Sequence, residues 1–94
     1  MDLTFEWDEA KAEANEMKHG VSFREATTVF GDPLAVTKFD ELHSDFEDRF
    51  ITIGYSHSLR MLVVVYTERN PNIRLISARR ATAYECEQYE QSSL

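Results

Sequence analysis

The spacing of apolar residues changes once along this chain, and the change limits the folds that the chain can adopt. Up to Pro33 the spacing is that of helices, after a short opening segment that alternates like a strand. Beyond Pro33 the pattern is that of extended structure with short connections. The four strands predicted there span residues 34–39, 49–55, 60–67 and 72–79. The chain must therefore place helices from its first part against a sheet built from the rest.

Capping signals delimit the predicted helices. Asp8 is a typical N-cap and Gly20 a typical stop, so the first helix spans Glu9–His19. Ser22 begins a second helix with a capping box. The two remaining predicted elements are a strand at residues 3–7 and a last helix at residues 82–91.

The predicted order of elements is β-α-α-β-β-β-β-α, which is typical of the α+β class. Turn residues connect the later strands, so we expect an antiparallel β-sheet with helices packed on it. The chain has 94 residues, which is too short for two domains. We therefore interpret residues 1–94 as a single domain.

The net charge of −7 hides a strong local contrast. Residues 1–48 carry four basic and thirteen acidic side chains, whereas residues 49–80 carry six arginines and a single acid, Glu68. Salt screens charges beyond roughly 10 Å, so a polyanion responds to the local field rather than to the average. Residues 49–80 can therefore bind phosphate on an acidic protein. The alternative is that these arginines only pair with the acidic half.

The number of cysteines and the length of the apolar runs indicate the cellular compartment of the protein. Cys86 is the single cysteine and cannot form an internal disulfide. The longest apolar run, at residues 61–66, is far shorter than the roughly 20 residues of a membrane-spanning helix. We expect a cytoplasmic protein with no membrane partner.

Several motifs occur in order along the chain: Phe5-Glu6-Trp7-Asp8, Lys18-His19-Gly20-Val21-Ser22-Phe23, Asp32-Pro33, His43-Ser44, Tyr66-Thr67-Glu68-Arg69 and Ile76-Ser77-Ala78-Arg79-Arg80. Over nearly the whole chain they resemble the BrnT family of type II toxin–antitoxin systems. The resemblance implies a RelE-like fold and a ribonuclease that uses no metal or other cofactor. It also implies neutralisation by a BrnA-like ribbon–helix–helix antitoxin, with operator DNA bound only through that antitoxin.

RNA cleavage without a metal needs a base for the 2′-OH proton, cations for the charge on the phosphate, and an acid for the leaving 5′-oxygen. His19, beside Lys18, is our first candidate acid or base, and both side chains would equally suit a helix C-terminus. Glu68 is the second candidate, with pairing to an arginine as its alternative role. Arg79 is the predicted phosphate ligand. The expected product is a 2′,3′-cyclic phosphate.

The arginines predicted to bind RNA are Arg49, Arg69 and Arg80. For Arg80 the alternative is a contact with the start of the last helix. Residues 40–48, which include His43, are interpreted as an acidic, solvated connection. No metal site is predicted, because no histidine or cysteine pair has the spacing of metal ligands.

The resembled family implies a basic last helix, whereas residues 81–90 have three acids and no base. This difference predicts weak RNA binding, dependence on the ribosome, or an attenuated toxin. The substrate is thus RNA, either free or on the ribosome. The second functional hypothesis is a non-catalytic module that binds an antitoxin and acts as a component of a co-repressor.

Overall fold

Within residues 3–92, which the structure describes, the computed structural model contains five strands and three α-helices. In chain order they are β1 (Thr4–Glu6), α1 (Glu9–His19), α2 (Phe23–Thr27), β2 (Val36–Phe39), β3 (Arg49–Tyr55), β4 (Met61–Arg69), β5 (Asn72–Arg80) and α3 (Ala83–Ser92). Short 3-10 helices follow α2 at Thr28–Gly31 and β2 at Glu41–His43. The predicted α+β class is confirmed.

Helix α1 has the bounds that its capping signals predict. The Asp8 carboxylate accepts a hydrogen bond from the Lys11 backbone N–H at 3.0 Å. At the other end Gly20 adopts a left-handed φ of 70° and donates its N–H to the Glu16 carbonyl. Because both signals act through neighbouring residues, local sequence is sufficient to define this helix.

Helix α2 is shorter than its apolar spacing predicts, since the chain tightens into a 3-10 helix after Thr27. The hydroxyls of Thr27 and Thr28 donate to the carbonyls of Arg24 and Glu25, at 2.7 and 2.6 Å. Such bonds from threonine to the preceding turn compete with regular helix geometry. The helical segment therefore ends as a 3-10 turn.

The sheet is mixed, which corrects the prediction of an antiparallel sheet. Its strand order is β1-β5-β4-β3-β2, and strands β2 to β5 form the expected antiparallel meander. Strand β1 pairs in parallel with β5, with Phe5 opposite Ile73. Alternation along a short strand indicates which side chains share a face, but it does not specify the partner strand. The direction of β1 was therefore not predictable from its own residues.

Helix α1 covers the edge of β5 beyond the pairing with β1. The buried Asn15 side chain donates to the Ala78 carbonyl at 2.8 Å and accepts from the Ala78 N–H at 3.1 Å. It also donates to the Val21 carbonyl at 3.0 Å. One amide thus replaces a neighbouring strand at this position and leaves no backbone group of Ala78 without a partner.

The helices pack on opposite faces of the sheet. Helices α1 and α2 cover one face, where the main core contains Val21, Phe23, Ala26, Val29, Leu62, Val64, Tyr66, Leu75 and Ala78. Helix α3 lies on the other face, where Tyr89 packs with Ile53 and Val63. Since α3 covers only part of this second face, the rest is open. We call this uncovered part the open face.

The Asp32 carboxylate holds α3 at its C-terminal half. It accepts hydrogen bonds from the Tyr89 hydroxyl at 2.8 Å, and from the backbone N–H groups of Leu34 and Tyr55 at 2.9 Å each. Burial raises the pKa of Asp32, but these three donors outweigh it and the net shift is downward.

Within residues 3–92, none of the helices has the length and apolar character that a membrane-spanning segment requires.

Candidate functional site

A groove of about 400 Å³ runs across the open face. Cross-strand pairing explains its floor, because Lys38 pairs with Ile51, Ile51 with Val65, and Val65 with Ser77. These side chains lie in one row, since paired residues point to the same side of a sheet. The other side chains that line the groove are Asp40, Leu42, His43, Arg49, Val63, Ile76, Arg79 and Glu85. A largely apolar floor is thus surrounded by three cations, two carboxylates and a histidine.

Arg79 forms a two-bond ion pair across the end of the groove. Its Nη1 and Nη2 donate to Oε1 and Oε2 of Glu85, both at 2.8 Å, and Nη1 also donates to the Arg80 carbonyl at 3.2 Å. The hydrogen bonds from Arg79 lower the pKa of Glu85 to about 2, and the pKa of Arg79 is raised in return. Both groups are therefore charged throughout the neutral range.

Glu85 is also part of the cap of α3. Its carboxylate accepts from the Thr82 backbone N–H at 2.8 Å, and its own N–H donates to the Thr82 hydroxyl at 3.2 Å. This reciprocal pair is a capping box. The start of α3 and the guanidinium of Arg79 are thus fixed by the same carboxylate.

The Nε edge of Arg79 keeps its hydrogen-bonding capacity. Among the described residues, Nε of Arg79 donates to no acceptor, and Nη2 uses one of its two N–H groups. A guanidinium presents five N–H donors and binds phosphate by two parallel bonds. Arg79 can therefore bind a phosphate through Nε and Nη2 while Glu85 holds its opposite edge.

Arg49 borders the same groove from the start of β3. Its backbone N–H donates to the Ser44 hydroxyl at 3.0 Å, and its Nε lies 3.9 Å from Oε1 of Glu47. That distance is too long for a hydrogen bond. Nε of Arg49 is buried without an acceptor among the described residues. Its guanidinium is therefore incompletely satisfied.

His43 is a functional candidate that sequence reasoning left in a solvated loop. Its Nδ1 lies 3.0 Å from Oδ2 of Asp40, and the His43 side chain is 64% exposed whereas Asp40 is 11% exposed. A carboxylate on one ring nitrogen orients the ring and leaves the other nitrogen available. The motif His43-Ser44 was the signal in the sequence that pointed to this position. In the structure the hydrogen bond between Ser44 and the Arg49 backbone brings the motif next to Arg49.

Lys18 and His19 do not line the groove. They lie in the last turn of α1, and their side chains form no hydrogen bond or ion pair within the described part of the chain. The neighbouring Gly20 carbonyl accepts from Nη2 of Arg60 at 3.1 Å, and Arg60 pairs with Glu25. This end of α1 is thus tied to a structural ion pair.

The other sequence candidates are divided between different surfaces. Glu68 is exposed, pairs in register with Ile73 and borders a separate cavity near the turn between β4 and β5. Arg69 lies 3.7 Å from Glu47 in a cavity next to the groove. Arg80 is exposed and alternates with Arg79 along β5, so it points to the opposite side. Of the predicted residues, the groove brings together only Arg49 and Arg79.

Among residues 3–92 no group of three or more His, Cys, Asp or Glu side chains is arranged to hold a metal ion. The charged groups of the groove are three cations, Lys38, Arg49 and Arg79, and two carboxylates, Asp40 and Glu85. Fold and groove together define a small α+β protein with charged side chains around a groove on an open sheet face.

Comparison with known proteins places the chain in a family. The model of the family described as "Ribonuclease toxin, BrnT, of type II toxin-antitoxin system" matches residues 7–85. The chain therefore belongs to the BrnT family of ribonuclease toxins, as its motifs predict, and an antitoxin partner follows from membership in a type II system.

The fold is also that of a solved relative. The crystal structure of the ribonuclease toxin BrnT from Brucella abortus matches with a TM-score of 0.63 at 24% sequence identity, covering 86% of this chain and 99% of that one. At this identity the match shows the shared fold. No curated protein matches the chain.

Proposed function

We propose that this chain cleaves single-stranded RNA in the groove of the open face, without a metal ion. The observation that carries the proposal is that Arg49 and Arg79 line one groove together with Lys38. Guanidinium groups match the geometry of phosphate oxygens and can bind them by two parallel hydrogen bonds. The groove thus supplies the cations that a charged phosphorane transition state requires.

The proposed reaction is an internal transfer of the phosphate. The ribose 2′-oxygen attacks the adjacent phosphorus as a base removes its proton, and the bond from phosphorus to the 5′-oxygen breaks as an acid protonates that oxygen. The products are a 2′,3′-cyclic phosphate and a free 5′-hydroxyl. Arg49 and Arg79 stabilise the charge on the non-bridging oxygens.

For the acid or base we rank His43 first, since it borders the groove and its Nδ1 is oriented by Asp40. The candidates from the sequence, His19 with Lys18 and Glu68, lie outside the groove and are retained as the alternative acid and base groups for a scissile phosphate bound outside it. General acid–base groups contribute roughly 100-fold to 10,000-fold to a rate, so their substitutions rank them.

We further propose that the partner is a BrnA-like ribbon–helix–helix antitoxin, that operator DNA is bound only through it, and that the toxin is RelE-like and acts in the cytoplasm. Leu42 and Phe46 support a docking site beside the groove, because their side chains are 84% and 102% exposed. An antitoxin anchored on these two residues would cover Arg49 and Arg79 and so exclude RNA.

Expression without the antitoxin tests the proposal in cells. The wild-type chain is expected to arrest growth and translation, and Arg79→Gln is expected to relieve the arrest. Arg24→Gln is the matched control, since it removes the same charge from an exposed position on α2. His43→Gln, His19→Gln and Glu68→Gln then rank the acid and base candidates. A harmless wild-type chain would oppose the proposal.

The second candidate function is the non-catalytic module that binds an antitoxin. It is favoured by one observation, namely that Glu85 already occupies one edge of Arg79. In this case the purified wild-type chain would leave RNA intact at low salt and would still increase the affinity of the antitoxin for operator DNA. Cleavage of RNA by the purified chain would exclude it.

A further inference from the structure

A second cavity, of about 210 Å³, lies next to the groove and shares Arg49 and Ile76 with it. Its other lining residues are Asp8, Lys11, Glu47, Arg69, Arg74 and Leu75. Four cationic side chains from α1, β3, β4 and β5 thus converge on a space that the sequence analysis did not predict. Neither Lys11 nor Arg74 was a candidate from the sequence.

The carboxylates around this cavity do not satisfy its guanidinium groups. Glu47 is shared by two of them, at 3.9 Å from Nε of Arg49 and 3.7 Å from Nη2 of Arg69, and both distances exceed that of a hydrogen bond. Arg74 donates through Nη1 to Glu6 at 3.0 Å, which uses one of its five donors. Donors capable of binding an anion therefore remain.

The charged side chains around the cavity also include more cations than carboxylates. Four cations, namely Lys11 and three arginines, face the carboxylates of Asp8, Glu47 and Glu6. Four positive and three negative groups leave one positive charge, and this excess includes Arg49, which the cavity shares with the groove. Asp8 is moreover engaged with the backbone N–H of Lys11 as the cap of α1.

We propose that this cavity is a second phosphate subsite, which binds the phosphodiester next to the one held in the groove. Because Arg49 borders both spaces, a single RNA strand passes from one to the other across its guanidinium. The ligand is thus a single-stranded RNA that places at least two consecutive phosphates on the open face. This inference rests on the proposed function of the groove.

The subsite is tested by the salt dependence of the affinity for a 2′-O-methyl oligoribonucleotide, which lacks the 2′-hydroxyl that the proposed cleavage requires. Each phosphate contact on a single strand contributes roughly 0.7 to the slope of log K against log salt. Removal of the subsite by Arg74→Gln or Lys11→Gln is expected to lower the slope by about this amount. Arg74→Lys is expected to keep most of the slope, and Arg24→Gln is the charge-matched control.

Substrate length gives an independent test. A trinucleotide has two phosphates and a dinucleotide has one. For the wild-type chain we expect the KM of the trinucleotide to be roughly tenfold lower than that of the dinucleotide, because a charged hydrogen bond contributes about 1.5 kcal/mol. Arg74→Gln and Lys11→Gln are expected to remove this advantage at unchanged kcat. Arg74→Gln also removes the ion pair with Glu6 on β1, so Lys11→Gln is the second variant, because the Lys11 side chain forms no hydrogen bond or ion pair within residues 3–92.

The outcomes separate the two proposals. Suppose that the wild-type chain cleaves RNA, but that the Arg74 and Lys11 variants keep its salt dependence of binding and its lower KM for the trinucleotide. The subsite is then wrong and the proposed function stands. If the wild-type chain neither binds nor cleaves RNA, both are wrong. The subsite would also be wrong if Arg74→Gln and Lys11→Gln reduced the salt dependence of RNA binding only as much as Arg24→Gln does, because the change would then reflect net charge alone.

Discussion

Arg79 and Glu85 join β5 to α3 through two parallel hydrogen bonds of 2.8 Å at the end of the groove. One of the three acids of the last helix is therefore the partner of Arg79, the arginine at the end of the groove. In the proposed site, the pair would limit how strongly Arg79 attracts phosphate and would leave the Nε edge of Arg79 as the side from which phosphate approaches.

Glu85→Gln is expected to increase the affinity for RNA, because it removes a negative charge from the groove and releases an edge of Arg79. A gain of about 1 kcal/mol, or roughly fivefold in Kd, is the scale of a partly exposed ion pair. The measurement is fluorescence anisotropy with a 2′-O-methyl oligoribonucleotide. Glu87→Gln, at an exposed position of α3, is the control. A loss of affinity would show instead that Glu85 orients Arg79 for binding.

The same pair predicts a pH dependence of stability. The pKa of Glu85 is depressed from 4.5 to about 2 by Arg79, so its contribution is complete above the unfolded pKa and is lost as the pH falls from about 4.5 to 2. For this partly exposed pair we expect on the order of 2 kcal/mol in the free energy of unfolding. Urea titrations of the wild type and Glu85→Gln at several pH values measure it. Parallel pH profiles of the two chains would contradict the assignment.

Asn15→Ala is expected to destabilise the chain by about 3 kcal/mol, because it leaves the buried N–H and carbonyl of Ala78 without partners. Chemical denaturation measures the change in the free energy of unfolding. Glu13→Ala, at an exposed position on the same helix, controls for helix propensity and should change stability by less than about 0.5 kcal/mol. Equal effects of the two substitutions would show that the amide of Asn15 does not support the edge of β5.

Local signals in the sequence predicted the elements well and their partners less well. Asp8 and Gly20 define α1 because caps act over one turn, and the meander follows from short turns. The parallel pairing of β1 with β5 depends on residues nearly 70 positions apart, such as Phe5 and Ile73, for which the sequence carries no local signal.

The candidate site was predicted in part. Arg49 and Arg79 reach one groove because the strand registers place both on the same face of the sheet. A register shift between β4 and β5 lies between Leu75 and Ser77, so Arg79 does not share a face with Leu75, and simple alternation along β5 could not establish its position. Glu68 and His19 were chosen for their position beside basic residues, but adjacency in sequence does not specify which surface a side chain faces. Lys38 was missed because it lies on the edge strand β2, away from the arginine-rich segment.

The most direct test of the proposed groove is cleavage of a defined oligoribonucleotide by the purified chain in the presence of EDTA, with the ends of the products identified by mass spectrometry. We expect a 2′,3′-cyclic phosphate and a 5′-hydroxyl, with kcat/KM lowered roughly 10-fold to 150-fold by Arg79→Gln and by Arg49→Gln, the loss expected for a charged hydrogen bond to the phosphate. Arg24→Gln should leave the rate unchanged. Intact RNA after incubation with the wild-type chain, or equal rates for all four proteins, would contradict the proposed site.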